Sequence, residues 1–106
     1  MDNIVSTGSK ILPEYEVMPQ GDGSYASTVR FTEHFSGVEG VVHGGVVSMY
    51  FDEILGWVAS QISDHWWATA YLRVDYRAPS PIGETLRAVI RPVLAAGAFF
   101  IFGLFC

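Results

Sequence analysis

The chain has 106 residues, of which half are hydrophobic and 16% charged, with a formal net charge of −5. This length suits one domain with a real core, and the apolar content argues against disorder. The acidic balance argues against a general nucleic-acid binder, whose footprint would be basic.

Residues 1–20 are weakly patterned, and Pro13 and Pro19 break any long helix there. The first residues lack a basic region followed by an apolar run, so no signal peptide is read. Gly21-Asp22-Gly23 is a turn signal, after which Tyr25-Ala26-Ser27-Thr28-Val29-Arg30-Phe31 alternates like a strand. Residues 34–42 read as a loop with Gly37 and Gly40 as flexible points. A helix is predicted from Gly44 to Ile62, closed by Ser63-Asp64-His65. A long strand is predicted over 66–77, with Ala70, Leu72, Val74 and Tyr76 on one face and Thr69, Tyr71, Arg73, Asp75 and Arg77 on the other. Pro79, Pro81 and Gly83 force a turn. The next strand spans 85–94, with Leu86, Ala88 and Ile90 alternating against Arg87, Val89 and Arg91. Ala96-Gly97 turns the chain into a final apolar strand over 98–105. No internal repeat or low-complexity linker is present.

A strand, one long helix and then consecutive antiparallel strands predict an α+β domain, with a sheet curled around a central helix. The single cysteine, Cys106, allows no intrachain disulfide and makes a reducing compartment, the cytoplasm, the default. The apolar tract 93–106 is too short for a membrane-spanning helix, so no membrane partner is expected.

The chemistry concentrates at the helix start. His43-Gly44-Gly45 opens a stretch with apolar residues on nearly every side, and Asp52 follows nine residues after the histidine. An ionised carboxylate on such a helix is expensive to desolvate unless a partner or a water-lined site receives it. The ordinary alternative is an Asp at an exposed helix edge. Backbone N–H groups at a helix start lack internal partners and sit at the positive end of the dipole, and glycine lets a ligand approach them.

Together these residues resemble the hotdog-fold thioesterases of the phenylacetic-acid-degradation type. The resemblance rests on Gly40-Val41-Val42-His43-Gly44-Gly45-Val46-Val47, Asp52, Thr69, Leu72-Arg73-Val74-Asp75-Tyr76-Arg77-Ala78-Pro79 and Gly83, over roughly residues 25–95 of one hotdog domain spanning 1–106. It implies hydrolysis of acyl-coenzyme A thioesters. Asp52 would be general base or nucleophile, and the Gly45 N–H would polarise the thioester carbonyl. His43 would orient the site and Thr69 would help position the attacking water. Gly44, Ser48, Arg73 and Arg77 are the substrate-binding candidates. Where members of the family often carry Asn or Gln before His-Gly-Gly, this chain has His34, Phe35 and Ser36.

A thioester has a good leaving group, so no metal or other cofactor is required. Gly45 and Asp52 lie about 10 Å apart along one helix, too far to meet one carbonyl carbon. Two antiparallel helices across a two-fold axis would bring one chain's Gly45 near the other's Asp52, so a homodimer or dimer of dimers is expected.

Other candidates weigh less. Glu53 sits about 100° around the helix from Asp52 and reads as structural or peripheral. His65 reads as a helix cap, and no His/Cys/Asp/Glu group has zinc spacing. Arg73, Arg77, Arg87 and Arg91 form a locally basic stretch able to hold a phosphorylated ligand, or are simply solvated outward positions. Tyr50, Phe51, Trp57, Trp66 and Trp67 would line an acyl or aryl pocket or pack the core. The apolar 98–105 segment leaves two possibilities open: a missing closing strand, or a strand buried on both sides. The competing functional reading is a non-catalytic hotdog protein that binds acyl-coenzyme A or serves as an assembly module. A hotdog dehydratase is weaker, because its paired Asp/His arrangement is not evident.

Overall fold

Alternation in the sequence becomes a sheet wherever every second side chain finds the helix. The computed structural model describes residues 4–6, 11–62, 78–95 and 98–105. Its strands are β1 (Ile4–Ser6), β2 (Tyr15–Pro19), β3 (Tyr25–Arg30), β4 (Thr85–Ala95) and β5 (Ala98–Phe105), and its helix is α1 (Gly44–Ile62). The strands pair antiparallel in the order β1-β2-β3-β4-β5. The predicted strand over 66–77 lies outside the described residues, as do Ser63, Asp64, His65 and the Ala96-Gly97 turn. The strands flanking that turn are antiparallel neighbours with Ala95 opposite Ala98.

Residues 15–19 are better ordered than their patterning predicts, because β2 alternates in burial. Tyr15 and Val17 are buried while Glu16 and Met18 are half-buried. Pairing with β3, which sets Tyr15 opposite Val29 and Val17 opposite Ser27, and with β1 on the other side turns so short a segment into a strand. Pro19 is tolerated as the last residue of β2. In the turn that follows, Asp22 Oδ1 accepts hydrogen bonds from the Ser24 N–H at 3.0 Å and the Ser24 hydroxyl at 2.5 Å. Those bonds hold the Asp22 carboxyl below the usual carboxylate range.

On β4 the predicted alternation holds: Ala88 and Ile90 are buried and Leu86 is half-buried, while Arg87 and Arg91 are exposed. These inward residues meet α1 through Val47, Tyr50, Phe51, Ile54 and Val58 in one core cluster. Full burial of a side chain such as Ile54 or Val58 contributes about 2 kcal/mol relative to exposure. At the centre of the core Tyr50 is fully buried, and its hydroxyl donates to Ser27 Oγ at 2.5 Å. The rings of Tyr15, Phe31 and Phe51 stand edge-on around Tyr50 at centroid distances of 5.8, 5.8 and 5.3 Å. Tyr50 and Phe51 are therefore core residues rather than pocket lining, and half-buried Trp57 meets Tyr25 edge-on.

The helix departs from the sequence reading in one respect. Its composition predicts burial all round, yet Gly45, Met49, Glu53, Gly56 and Ser60 are exposed within the chain. The buried stripe Val47-Tyr50-Phe51-Ile54-Val58 has a spacing of three and four that places it on one side, with Ala59 buried beside its end.

Candidate active site

Two loops build the ground under the helix start. The predicted loop 34–42 contains a 3-10 turn over Glu33–Phe35, and it folds back on itself through bridges of Ser36 with Val42 and of Val41 with Pro81. Gly40 sits at the bend with φ +78°, a conformation that glycine adopts without a side-chain clash. The Val42 N–H donates to the Ser80 carbonyl at 2.9 Å and the Ile82 N–H to the Gly40 carbonyl at 3.0 Å. These bonds tie the loop to the Pro79-Pro81 turn. The His43 N–H donates to the Phe35 carbonyl at 2.8 Å, so the buried Phe35 anchors the residue that precedes α1.

His43 occupies the N-cap position. Its carbonyl accepts from the Val46 and Val47 N–H groups at 3.0 and 3.2 Å, and its Nδ1 accepts from the Gly45 N–H at 2.9 Å. The sequence reading left the Gly45 N–H open for a ligand. In this chain it is already engaged, because the residue two positions earlier carries an acceptor of the right reach. Two glycines clear space for the imidazole. A Cβ on Gly45 would stand 3.1 Å from both Cε1 and Nδ1 of His43, and one on Gly37 would stand 3.2 Å from the His43 Cα. Gly37 is thus a site residue that sequence reading treated only as flexible. Its role depends on a loop closure that local pattern does not encode.

Beside this cap lies a cleft of about 520 Å³. Val38, Val41, Val42, Val47 and Pro79 give it apolar walls, and Gly37, His43, Gly44 and Ser80 contribute polar atoms and backbone. Gly45 and His43 are exposed, while Ser48 and Asp52 are half-buried. Seven residues is nearly two turns, so Gly45 and Asp52 share an azimuth and stand about 10 Å apart along the axis. They are not brought together within one chain. Thr69, Arg73 and Arg77 lie outside the described residues. Of the remaining arginines in the basic stretch, Arg87 and Arg91 are exposed on β4.

Glu53 behaves as read, turned from Asp52 and held elsewhere. The Tyr15 hydroxyl donates to its carboxylate, and burial together with that negative charge pushes the Tyr15 phenol up to about 12. Burial raises the Tyr50 phenol as well. No group of three or more His, Cys, Asp or Glu is placed to hold a metal ion among the described residues. Among those residues no helix is long and apolar enough to cross a membrane.

A family model described as thioesterase superfamily matches residues 39–103, more than half of the chain and all of the helix and its glycine start. The chain belongs to the thioesterase superfamily, and its antiparallel sheet packed on one long helix is the α+β arrangement of the hotdog fold. Thioester hydrolysis is the general chemistry of that superfamily. Neither the curated proteins nor the solved structures compared with the chain gave a match.

Proposed function

We propose that the chain hydrolyses acyl-coenzyme A thioesters in the cytoplasm, as a hotdog thioesterase of the phenylacetic-acid-degradation type. In this reading residues 1–106 form one hotdog domain that assembles as a homodimer or dimer of dimers. The observation that carries it is the pairing of a glycine helix start with Asp52 on the same open side of α1, inside the matched family region. Asp52 of one subunit is the general base or nucleophile. The Gly45 N–H of the other polarises the thioester carbonyl, and such a donor contributes about 3 kcal/mol to an oxyanion-like transition state. His43 positions that amide and Thr69 orients the attacking water. Gly44 and Ser48 contact substrate, and Arg73 and Arg77 meet the phosphates of coenzyme A.

The separation of Gly45 and Asp52 along the axis supports a site shared between subunits, because a single helix cannot offer both groups to one carbonyl carbon. The exposed side of α1 supports it too, since a second helix laid there would enclose Asp52. One observation favours the alternative, a non-catalytic hotdog protein that binds acyl-coenzyme A. The Gly45 N–H is already bonded to His43.

Thiol release from a panel of aliphatic and aryl coenzyme A thioesters separates the two, with wild type beside Asp52→Asn. The expected result is turnover by wild type and a loss of about a hundredfold or more in kcat for the near-isosteric variant. Near wild-type turnover by Asp52→Asn would remove Asp52 from the chemistry. Binding without turnover by wild type would leave the binding module.

A further inference from the structure

We propose that the His43 imidazole is a built-in stand-in for the substrate carbonyl: it occupies the Gly45 N–H, and a thioester binds by displacing it. The inference rests on the thioesterase reading above and adds to it how the oxyanion donor is kept before substrate arrives. A helix-start N–H with no partner is an orphan donor, and here the ring of the N-cap residue satisfies it at 2.9 Å. The ring accepts that bond through the lone pair of Nδ1. A thioester carbonyl oxygen is also only an acceptor. The two compete for one donor, and binding is an exchange rather than an addition.

The surroundings permit the exchange. His43 is exposed, so its ring can turn into water without opening the core. Gly45 has no Cβ, where one would press on Nδ1 and Cε1 at 3.1 Å, and Gly37 leaves the other side of the residue clear. The adjoining cleft, with Val38, Val41 and Val47 in its walls, offers an apolar acyl group a place within reach of the same amide. Because the imidazole must leave before the carbonyl is bound, the signature of the exchange is in substrate affinity.

The test uses the full chain labelled with nitrogen-15. In the free protein, His43 Nδ1 should appear unprotonated and show a through-hydrogen-bond coupling to the Gly45 amide nitrogen. Addition of S-acetonyl coenzyme A, a ketone with no thioester to cleave, should abolish that coupling while the Gly45 amide proton stays hydrogen-bonded. By calorimetry, His43→Ala should bind this probe about three- to tenfold more tightly, the worth of one exposed hydrogen bond removed from competition. His43→Asn, whose side-chain oxygen can cap the same amide, should bind as wild type does. Should His43→Ala fail to fold, the coupling measurement on wild type decides alone. A coupling that persists with the probe bound overturns the exchange while leaving the thioesterase reading intact. Absence of both probe binding and thiol release overturns that reading, and the exchange with it.

Discussion

Tyr15 is where the core meets charge. Tyr15 lies under the helix with its hydroxyl on Glu53, and its phenol is raised from 10.0 to about 12. The folded chain therefore holds this proton more tightly than the unfolded chain. That stabilisation is complete at neutral pH and is lost as pH rises from 10.0 through about 12. Urea unfolding followed across that range should show wild-type stability falling with pH. Tyr15→Phe, which has no proton to lose, should fall less steeply, although it starts lower by about 1 kcal/mol for the lost hydrogen bond. Parallel curves for the two proteins would mean that Tyr15 does not titrate differently on folding. Tyr15 thus engages Glu53, while Asp52 stands about 100° away around the helix.

At the scale of elements, β5 poses the sharpest question. It carries four phenylalanines, an isoleucine and a leucine with no charge, a composition that aggregates when left exposed. The register sets Phe100 opposite Val93 and Phe102 opposite Arg91. Cross-strand partners share a face, and Val93 and Arg91 are both exposed. By the same register Gly103 stands opposite Ile90 and Phe105 opposite Ala88, and Ile90 and Ala88 are buried. The double variant Phe100→Lys and Phe102→Lys should therefore fold and remain in solution at higher concentration than wild type. Phe99→Lys with Ile101→Lys should lower the unfolding midpoint sharply or prevent folding. Sedimentation and thermal melts would read both, and the reverse pattern would place the register one residue out.

For the molecule as a whole, the open side of α1 decides how many chains make one site. If Gly45 and Asp52 serve one carbonyl from different subunits, two inactive proteins should complement each other. Gly45→Ala sets a Cβ against the His43 ring, and Asp52→Asn removes the carboxylate. Refolded together, half the dimers would be mixed and each would hold one intact site, giving about a quarter of wild-type turnover. The separate variants should stay inactive under the same treatment. No recovery on mixing, with mixed dimers shown to form, would place both groups of each site on one chain.

Periodicity by itself determined the elements that carry the chemistry. The helix runs over the predicted Gly44–Ile62, and the inward set Leu86, Ala88 and Ile90 lies where alternation put it. Such patterns are legible because a side chain's face follows from its position in a repeat of 3.6 or 2. The α+β class was legible for the same reason, and the thioesterase superfamily through the resemblance that the glycine start of α1 and the spacing to Asp52 help to carry. Tertiary structure alone decided the rest. It made strands of β1 and β2, whose local pattern is too short to specify them without the strands they pair with. It left Gly45, Met49, Glu53, Gly56 and Ser60 of an apolar helix exposed. It closed a loop so that Gly37 clears the His43 ring and His43 takes the Gly45 amide. Those contacts join residues through backbone paths that turn back on themselves, and the direction of such a turn is set by what the chain packs against.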